Sequence, residues 1–522
     1  MRLFPMNSGQ ARARLVQAGA VLVAVALIAG CGSAYRPVVT PVGATGPAAQ
    51  VTSYAVVVSA PSPTTPGIAT IIDYSGDSVL AIAPIGPGPI SFTMDGLGAD
   101  GYTINSDHTV SNFPVAPTLQ AKQVLYTTLP ATAEPVNMLS PTSGLWVADL
   151  NGNLADVFTG GAGSVQAFKL SVPVAPTPVT ILGPSTVAER AYAISQNIAN
   201  PTGVECNTSP TTQPIGVADA IEVASDTVSA SIPVGKCPVY GALTTDNRRF
   251  FVLNRGDDTV TVINGQTNTL DNQCPPPTGC VNQSGQTYFS HPALPLSLTA
   301  VSALNAINPG SGTPPNGTTG MGTIAGPVYA EYNAATSQLV VANYDGGTIS
   351  VIDVSLDEYG NDSATFGTTY TIPVGNNPAS VTVLYDGSRA YTANQADQTV
   401  SIVTLSSHTV EKTLPIIGHP RTVISVENSL YGKVYVASPD SPYLTIISTG
   451  GTNPDVVDTT ILVEGNIVDV RVKNENGTAG NSNVVSRVPG YGEPCNLPPT
   501  AQNPTPAPTG QQTPLQACQA LP

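Results

Sequence analysis

The chain has 522 residues, a net charge of −16 and only 10% charged residues, while 41% are apolar. A charged fraction this far below the ~25% of an ordinary soluble domain, joined to ample apolar content, excludes intrinsic disorder for most of the chain. With 18 scattered basic residues there is no phosphate-neutralising surface, so nucleic acid is not an expected partner. Glycine and proline number 49 each, a turn-rich content below the ~25–30% of low-complexity sequence.

In chain order, the first element is a leader. Arg2, Arg12 and Arg14 precede an apolar run from Leu15 to Ala29 that ends at Gly30-Cys31. A basic stretch, a short apolar stretch and a small-residue cleavage site read as a signal peptide over residues 1–30. The run is shorter than the ~20 residues that span a bilayer. Ile28-Ala29-Gly30-Cys31 resembles the bacterial lipobox, which implies lipid attachment at Cys31, anchoring by two or more acyl chains, and a place in the bacterial cell envelope facing the periplasm or the cell surface. Residues 31–50 are small and Pro-rich, a tether.

Over residues 51–475 one pattern recurs: a short β-rich run closing on a small polar residue. It reads YAVVVS (54–59), DGYTIN (100–105), GLWVAD (144–149), RAYAIS (190–195), RFFVLN (249–254), QLVVAN (338–343), RAYTAN (389–394) and KVYVAS (433–438). The spacings between their last residues are 46, 44, 46, 59, 89, 51 and 44. A period near 45 suits propeller blades of four strands. In later repeats a second run follows, DDTVTVI (257–263), GGTISVI (346–352) and DQTVSIV (397–403), with a looser SPYLTII (441–447). Alternating Thr/Ser and Val/Ile predicts strands with one buried and one polar face. Ile232-Pro233-Val234-Gly235 with Pro238 recurs as Ile372-Pro373-Val374-Gly375 with Pro378, and in variant form as Leu414-Pro415-Ile416-Ile417-Gly418 with Pro420. These prolines mark strand starts and inter-blade connections, because proline cannot donate in a central ladder.

The order VAN…DGGTISVID…TIPVGNNPASVTVLYDGSRAYTAN…DQTVSIV over 341–403 closely resembles the YVTN-type (YncE-like) bacterial β-propeller family. The resemblance is strong over 232–263 and 338–447 and looser over 51–231. It implies an all-β fold, a single propeller of four-stranded blades, usually seven. Eight anchors exceed that number: either one anchor is not a blade, or strands within 54–83 close the last blade begun near Ile467–Val472. A pair of β-sandwiches is the alternative that short strands permit. Residues 476–522 form a Pro-rich tail.

Besides Cys31 there are six cysteines: Cys206, Cys237, Cys274, Cys280, Cys495 and Cys518. An even count in an exported chain reads as three disulfides, with fifteen possible pairings. The nearest-neighbour set is the expected one, because 274/280 and 495/518 each bracket a Pro- or Gly-rich loop. The two widest anchor spacings span Cys206 and the Cys274/Cys280 pair, so insertions sit where cysteines sit.

Candidate chemistry is sparse. A lone Trp146 opposes the repeated Trp docking motif of quinoproteins, and no CxxCH, GxSxG or metal-ligand spacing exists, so no cofactor or metal is expected. Gly418-His419-Pro420-Arg421 enters an innermost strand, where His419 as base and Arg421 as oxyanion clamp could serve a lactonase-like hydrolase. The competing reading makes His419 a blade-linking turn residue like Lys236-Cys237 or Asn376-Asn377. Asp149 to Asp156 reads as a hairpin turn rather than a calcium loop, and Asp357-Glu358 with Asn361-Asp362 as a surface loop. Arg255-Gly256-Asp257 is a chance adhesion tripeptide, and the N-x-S/T matches at Asn207, Asn282, Asn316, Asn361 and Asn476 carry no meaning in a bacterium. The sequence reads best as a monomeric, lipid-anchored, non-catalytic module for an unidentified protein or glycan partner, with the lactonase as the alternative.

Overall fold

A computed structural model describes residues 53–73, 75–140, 144–158, 168–183, 190–198, 214–296, 324–426 and 432–473. These residues form eight four-stranded antiparallel sheets, arranged as the blades of a β-propeller. In seven blades the strands follow chain order from the innermost outward. The inner strands are Pro89–Met94, Pro135–Leu139, Pro178–Leu182, Pro238–Leu243, Pro327–Asn333, Pro378–Val383 and Thr422–Ser425, opening blades 1 to 7. Blade 8 is composite. Its inner strand Asn466–Lys473 pairs with Tyr54–Ala60, followed outward by Pro66–Asp73 and Ser78–Pro87. Each inner strand packs beside that of the next blade, and Asn466–Lys473 packs beside Pro89–Met94, so the row closes on itself. The count is therefore eight rather than the usual seven, and the early strands do complete the last blade.

Every sequence anchor is the second strand of a blade. Its residues are buried on both faces, as in Arg249–Asn254, because a neighbouring blade covers each side. The third strands depart from expectation. Their polar face is not turned to solvent: Ser111, Thr261, Ser350 and Ser401 are all buried. The reason is a repeated polar layer. Asn105 Nδ2 donates to Thr109 Oγ1 (3.0 Å) and Ser111 Oγ (2.8 Å), and Asn254 does the same to Thr259 (3.0 Å) and Thr261 (2.8 Å). Asn343 bonds Thr348 and Ser350, both at 2.9 Å, and Asn394 bonds Thr399 (3.1 Å) and Ser401 (2.8 Å). Buried amides must find such partners, and the alternating Thr/Ser supplies them. The preceding blade's outer strand ends against this layer through a glycine. A Cβ on Gly86, Gly235 or Gly375 would approach Asn105, Asn254 or Asn394 to within 2.2, 2.5 or 2.7 Å.

Six inner strands begin with proline, at Pro89, Pro135, Pro178, Pro238, Pro327 and Pro378, each paired with the last residue of its anchor and followed by a register shift. Proline fits a strand's first position, where no ladder donor is required.

The basic residue and tyrosine that open several anchors clamp the next blade. Tyr192 Oη donates to Asn268 Oδ1 (2.7 Å) and Arg190 Nη1 to the Gly265 carbonyl (2.9 Å). Tyr391 Oη donates to Asp455 Oδ1 (2.5 Å), whose other oxygen pairs with Arg389, and Lys433 pairs with Asp77. Asn268, Asp455 and Asp77 all have left-handed backbone (φ 56°, 62° and 51°), the conformation of short polar residues in tight turns. The clamps tie blade 3 to 4, 6 to 7 and 7 to 8.

Candidate functional site

The connection between blades 6 and 7 runs from the outer strand Thr409–Pro415 to the inner strand Thr422–Ser425 and carries both residues singled out as catalytic candidates. The His419 backbone N–H donates to Asp440 Oδ1 (2.7 Å), and its Nδ1 lies 2.5 Å from Asp440 Oδ2. Its Nε2 lies 3.1 Å from the Gln398 amide nitrogen. The same backbone bond recurs at Lys236 N–H to Asp257 (2.8 Å) and Asn376 N–H to Asp397 (2.7 Å). His419 therefore occupies the repeating blade-linking turn, with its imidazole half-exposed. A carboxylate on Nδ1 fixes the ring's orientation, with Nε2 within hydrogen-bond reach of the Gln398 amide.

Arg421 is buried, and its Nη2 donates to the Val468 carbonyl (2.6 Å) on the inner strand of blade 8. Its own backbone N–H bonds the Ala437 carbonyl (2.9 Å), and its carbonyl accepts from Ser380 Oγ (2.8 Å). The guanidinium thus bridges two inner strands. The two candidates have different partners and different exposure: one faces solvent in a turn, the other is enclosed.

Arg421 is one of several such pins, found among the described residues at five of the eight junctions between inner strands. Asn137 Oδ1 accepts from Ile181 N–H (2.9 Å), Thr180 Oγ1 donates to the Val239 carbonyl (2.9 Å), and Glu331 Oε1 accepts from Val383 N–H (3.0 Å). Ser380 and Thr382 accept from Val423 and Ser425 N–H, both at 3.1 Å. Each pin joins the inner strand of one blade to the next where no ladder runs between sheets. Near the axis, buried Arg471 of blade 8 pairs with Asp469 (3.1 Å). It also feels Tyr329 and Tyr240, which stack at 4.8 Å on blades 5 and 4 across the ring. Burial alone would lower the Arg471 pKa, but Asp469 and the tyrosines outweigh it and hold it raised.

Of the cysteines, Cys274 and Cys280 form a disulfide. Cys237, buried in the connection between blades 3 and 4, is also disulfide-bonded. Cys31, Cys206, Cys495 and Cys518 lie outside the described residues. Among the described residues no group of three His, Cys, Asp or Glu side chains is arranged to hold a metal ion. In the Arg-Gly-Asp tripeptide, Arg255 is buried in an ion pair with Asp345 of the next blade (2.8 Å) and lies over the Tyr344 ring (5.6 Å). Asp149 caps its hairpin, accepting Glu134 N–H (2.8 Å) and Gly152 N–H (3.1 Å).

One expectation is corrected outright. Asp362, read as part of a surface loop, is buried against Arg249 (2.8 Å) and His291 (2.9 Å). The only signal pointing there was positional: Arg249 opens its anchor as Arg190, Arg389 and Lys433 open theirs.

No known family model matches the chain, and no curated protein sequence does. Solved structures match by shape. AztD from Citrobacter koseri in its apo form superposes with a TM-score of 0.51 and 12% identity, covering 80% of this chain and 96% of AztD. A putative 6-phosphogluconolactonase from Bacteroides fragilis gives a TM-score of 0.46 and 15% identity, over 82% of this chain and 99% of that protein. At such identities the likeness to AztD establishes the fold alone, a β-propeller.

Proposed function

We propose that this chain is a YVTN-type propeller lipoprotein, exported, acylated at Cys31, and acting as a non-catalytic binding or scaffold module for an envelope or surface partner. The repeated Asn–Thr–Ser layer, the glycine that closes on it and the proline opening six of the eight inner strands support the family reading, since they are the residues that carry the resemblance. The observation that carries the non-catalytic reading is the engagement of Arg421. A guanidinium that is buried and donates to the Val468 carbonyl is engaged with the backbone of the next blade, which supports a structural role over that of an oxyanion clamp.

Two measurements test this. Wild-type chain is expected to partition into detergent and Cys31→Ser into the aqueous phase; equal partitioning overturns the lipid assignment. Purified full-length chain is expected to hydrolyse a panel of aliphatic and sugar lactones no faster than buffer. One observation favours the alternative, a lactonase: the Asp440–His419 pair, half-exposed, has the orientation a general base needs. Lactone hydrolysis abolished by His419→Ala would replace the binding reading with that one.

A further inference from the structure

The widest gap between anchors contains a flap inserted into the outer edge of blade 4. The outer strand breaks off after Thr269–Leu270, and Ala293–Pro295 returns to pair with the same third strand, Thr259–Asn264. Between them the chain makes the Cys274–Cys280 disulfide and a small hairpin of Cys280–Val281 with Thr287–Tyr288. The flap rests on the connection 354–368 of blade 5, and what holds the two together is a buried charge cluster. Arg249 Nη2 donates to Asp362 Oδ1 (2.8 Å) and Nε to the same oxygen (3.2 Å). His291 Nδ1 lies 2.9 Å from Asp362 Oδ2, and its ring stacks on Phe366 at 5.3 Å. Asp271 Oδ2 lies 3.4 Å from Arg249 Nε yet receives no hydrogen bond among the described residues. All four side chains are under one-tenth exposed.

Two carboxyls therefore share one guanidinium inside the protein. A buried carboxylate without a full set of donors is costly, and a proton placed between two facing carboxyls removes both the repulsion and the unmet acceptor. The geometry points to a proton-held clasp: Asp271 and Asp362 share one proton that keeps the flap seated on blade 5, and loss of that proton on alkalinisation releases the flap. The direction of the Asp271 pKa agrees. Burial first, then the Asp362 charge, raise it, with the two carboxyls within hydrogen-bonding reach.

The surrounding charges are accounted for. From the second strand of blade 4 only Arg249 enters the cluster; Arg248 packs over Gly360 and pairs outward with Asp246 (3.6 Å). From the blade 5 connection, Asp357 is held by Asn361 and Asn282, Asp353 caps Ser355, and Glu358 is exposed. From the flap, Asp271 and His291 are the contributors.

Cys274 is buried but Cys280 is partly exposed, so reduction through Cys280 sets a baseline and only the pH-dependent part of the rate reports opening. In the full chain, reduction of Cys274–Cys280 by a small phosphine, located by mass mapping and corrected for the phosphine's own ionisation, is expected to run at least about tenfold faster at about pH 8 than at about pH 5, because the Asp271 pKa is pushed up to about 7. Asp271→Asn, whose amide can donate to Asp362 at any pH, is expected to hold the rate flat. His291→Gln is expected to keep the alkaline rise. A flat wild-type profile, a rise that survives in Asp271→Asn, or a rise lost only in His291→Gln each overturns the clasp. Infrared titration of the wild type needs no variant: a protonated carboxyl band half lost near pH 7 and gone by about pH 9 is expected, and its absence refutes the shared proton.

Discussion

Replacing Gly375 with alanine sets two effects of similar size against each other. Alanine narrows the unfolded ensemble and on that ground stabilises by about 0.4–1 kcal/mol. Against this, its Cβ would stand 2.7 Å from Cβ, Cγ and Nδ2 of Asn394, closer than real carbons approach. Asn394 cannot swing aside freely. It is fully buried, and its amide is committed to Thr399 and Ser401. If the backbone yields, overpacking costs about 1–3 kcal/mol. If Asn394 yields, two hydrogen bonds of about 0.5–1.5 kcal/mol each are lost. Either way the steric side wins, and Gly375→Ala is expected to destabilise by about 1–2 kcal/mol net. Gly450 is the matched control: its Cβ would meet nothing within 4 Å, so Gly450→Ala is expected to stabilise by about 0.4–1 kcal/mol. The assay is equilibrium unfolding in urea followed by the fluorescence of Trp146, buried and the only tryptophan. The midpoint should fall for one variant and rise for the other at unchanged slope. Shifts of the same sign would show that the polar layer yields without cost, and the account of it would fail.

Further expectations concern the blade clamps, the buried acids and the core. Tyr391→Phe removes the phenol bond to Asp455, a charged acceptor, and should cost about 1.5–3 kcal/mol in urea unfolding, with strong non-additivity toward Asp455→Ala. Asp95 and Asp156 are both pushed up to about 6, chiefly by burial. The native chain therefore holds protons that the unfolded chain releases near pH 4. Each acid's contribution to stability declines as pH rises from about 4 to 6, by up to about 3 kcal/mol apiece. A urea midpoint higher at about pH 7 than at about pH 4.5 in Asp95→Asn and wild type alike would contradict this. Iodide is expected to quench Trp146 only after unfolding; quenching of the native chain would place that strand at a surface.

The eight anchors were legible because each second strand is short, apolar on both faces and closed by a residue with a local job. The prolines and glycines of the connections were legible for a similar reason: a missing donor or a missing Cβ is a property of one residue in one turn. The third strands were misread on one point. Alternation of Thr and Val says that two faces differ, but whether the polar face meets water depends on Asn394 or Asn343 on the strand alongside. His419 was legible as a turn residue by its match to Lys236-Cys237 and Asn376-Asn377 in other repeats, and Arg421 was not legible as an inter-blade pin, since its acceptor, Val468, lies 47 residues on.

Sequence by itself determined the repeat, the strand identities, and the proposal that early strands complete the last blade, because hydrogen-bonded ladders and hairpins impose periods that show in a linear string. Only the tertiary structure decided the number eight and the burial of Asp362. It also decided the meeting of Arg249 with a carboxylate 113 residues away. Closure of a ring and the neutralisation of a buried charge depend on which distant surfaces are pressed together, and no local pattern of residues encodes that distance.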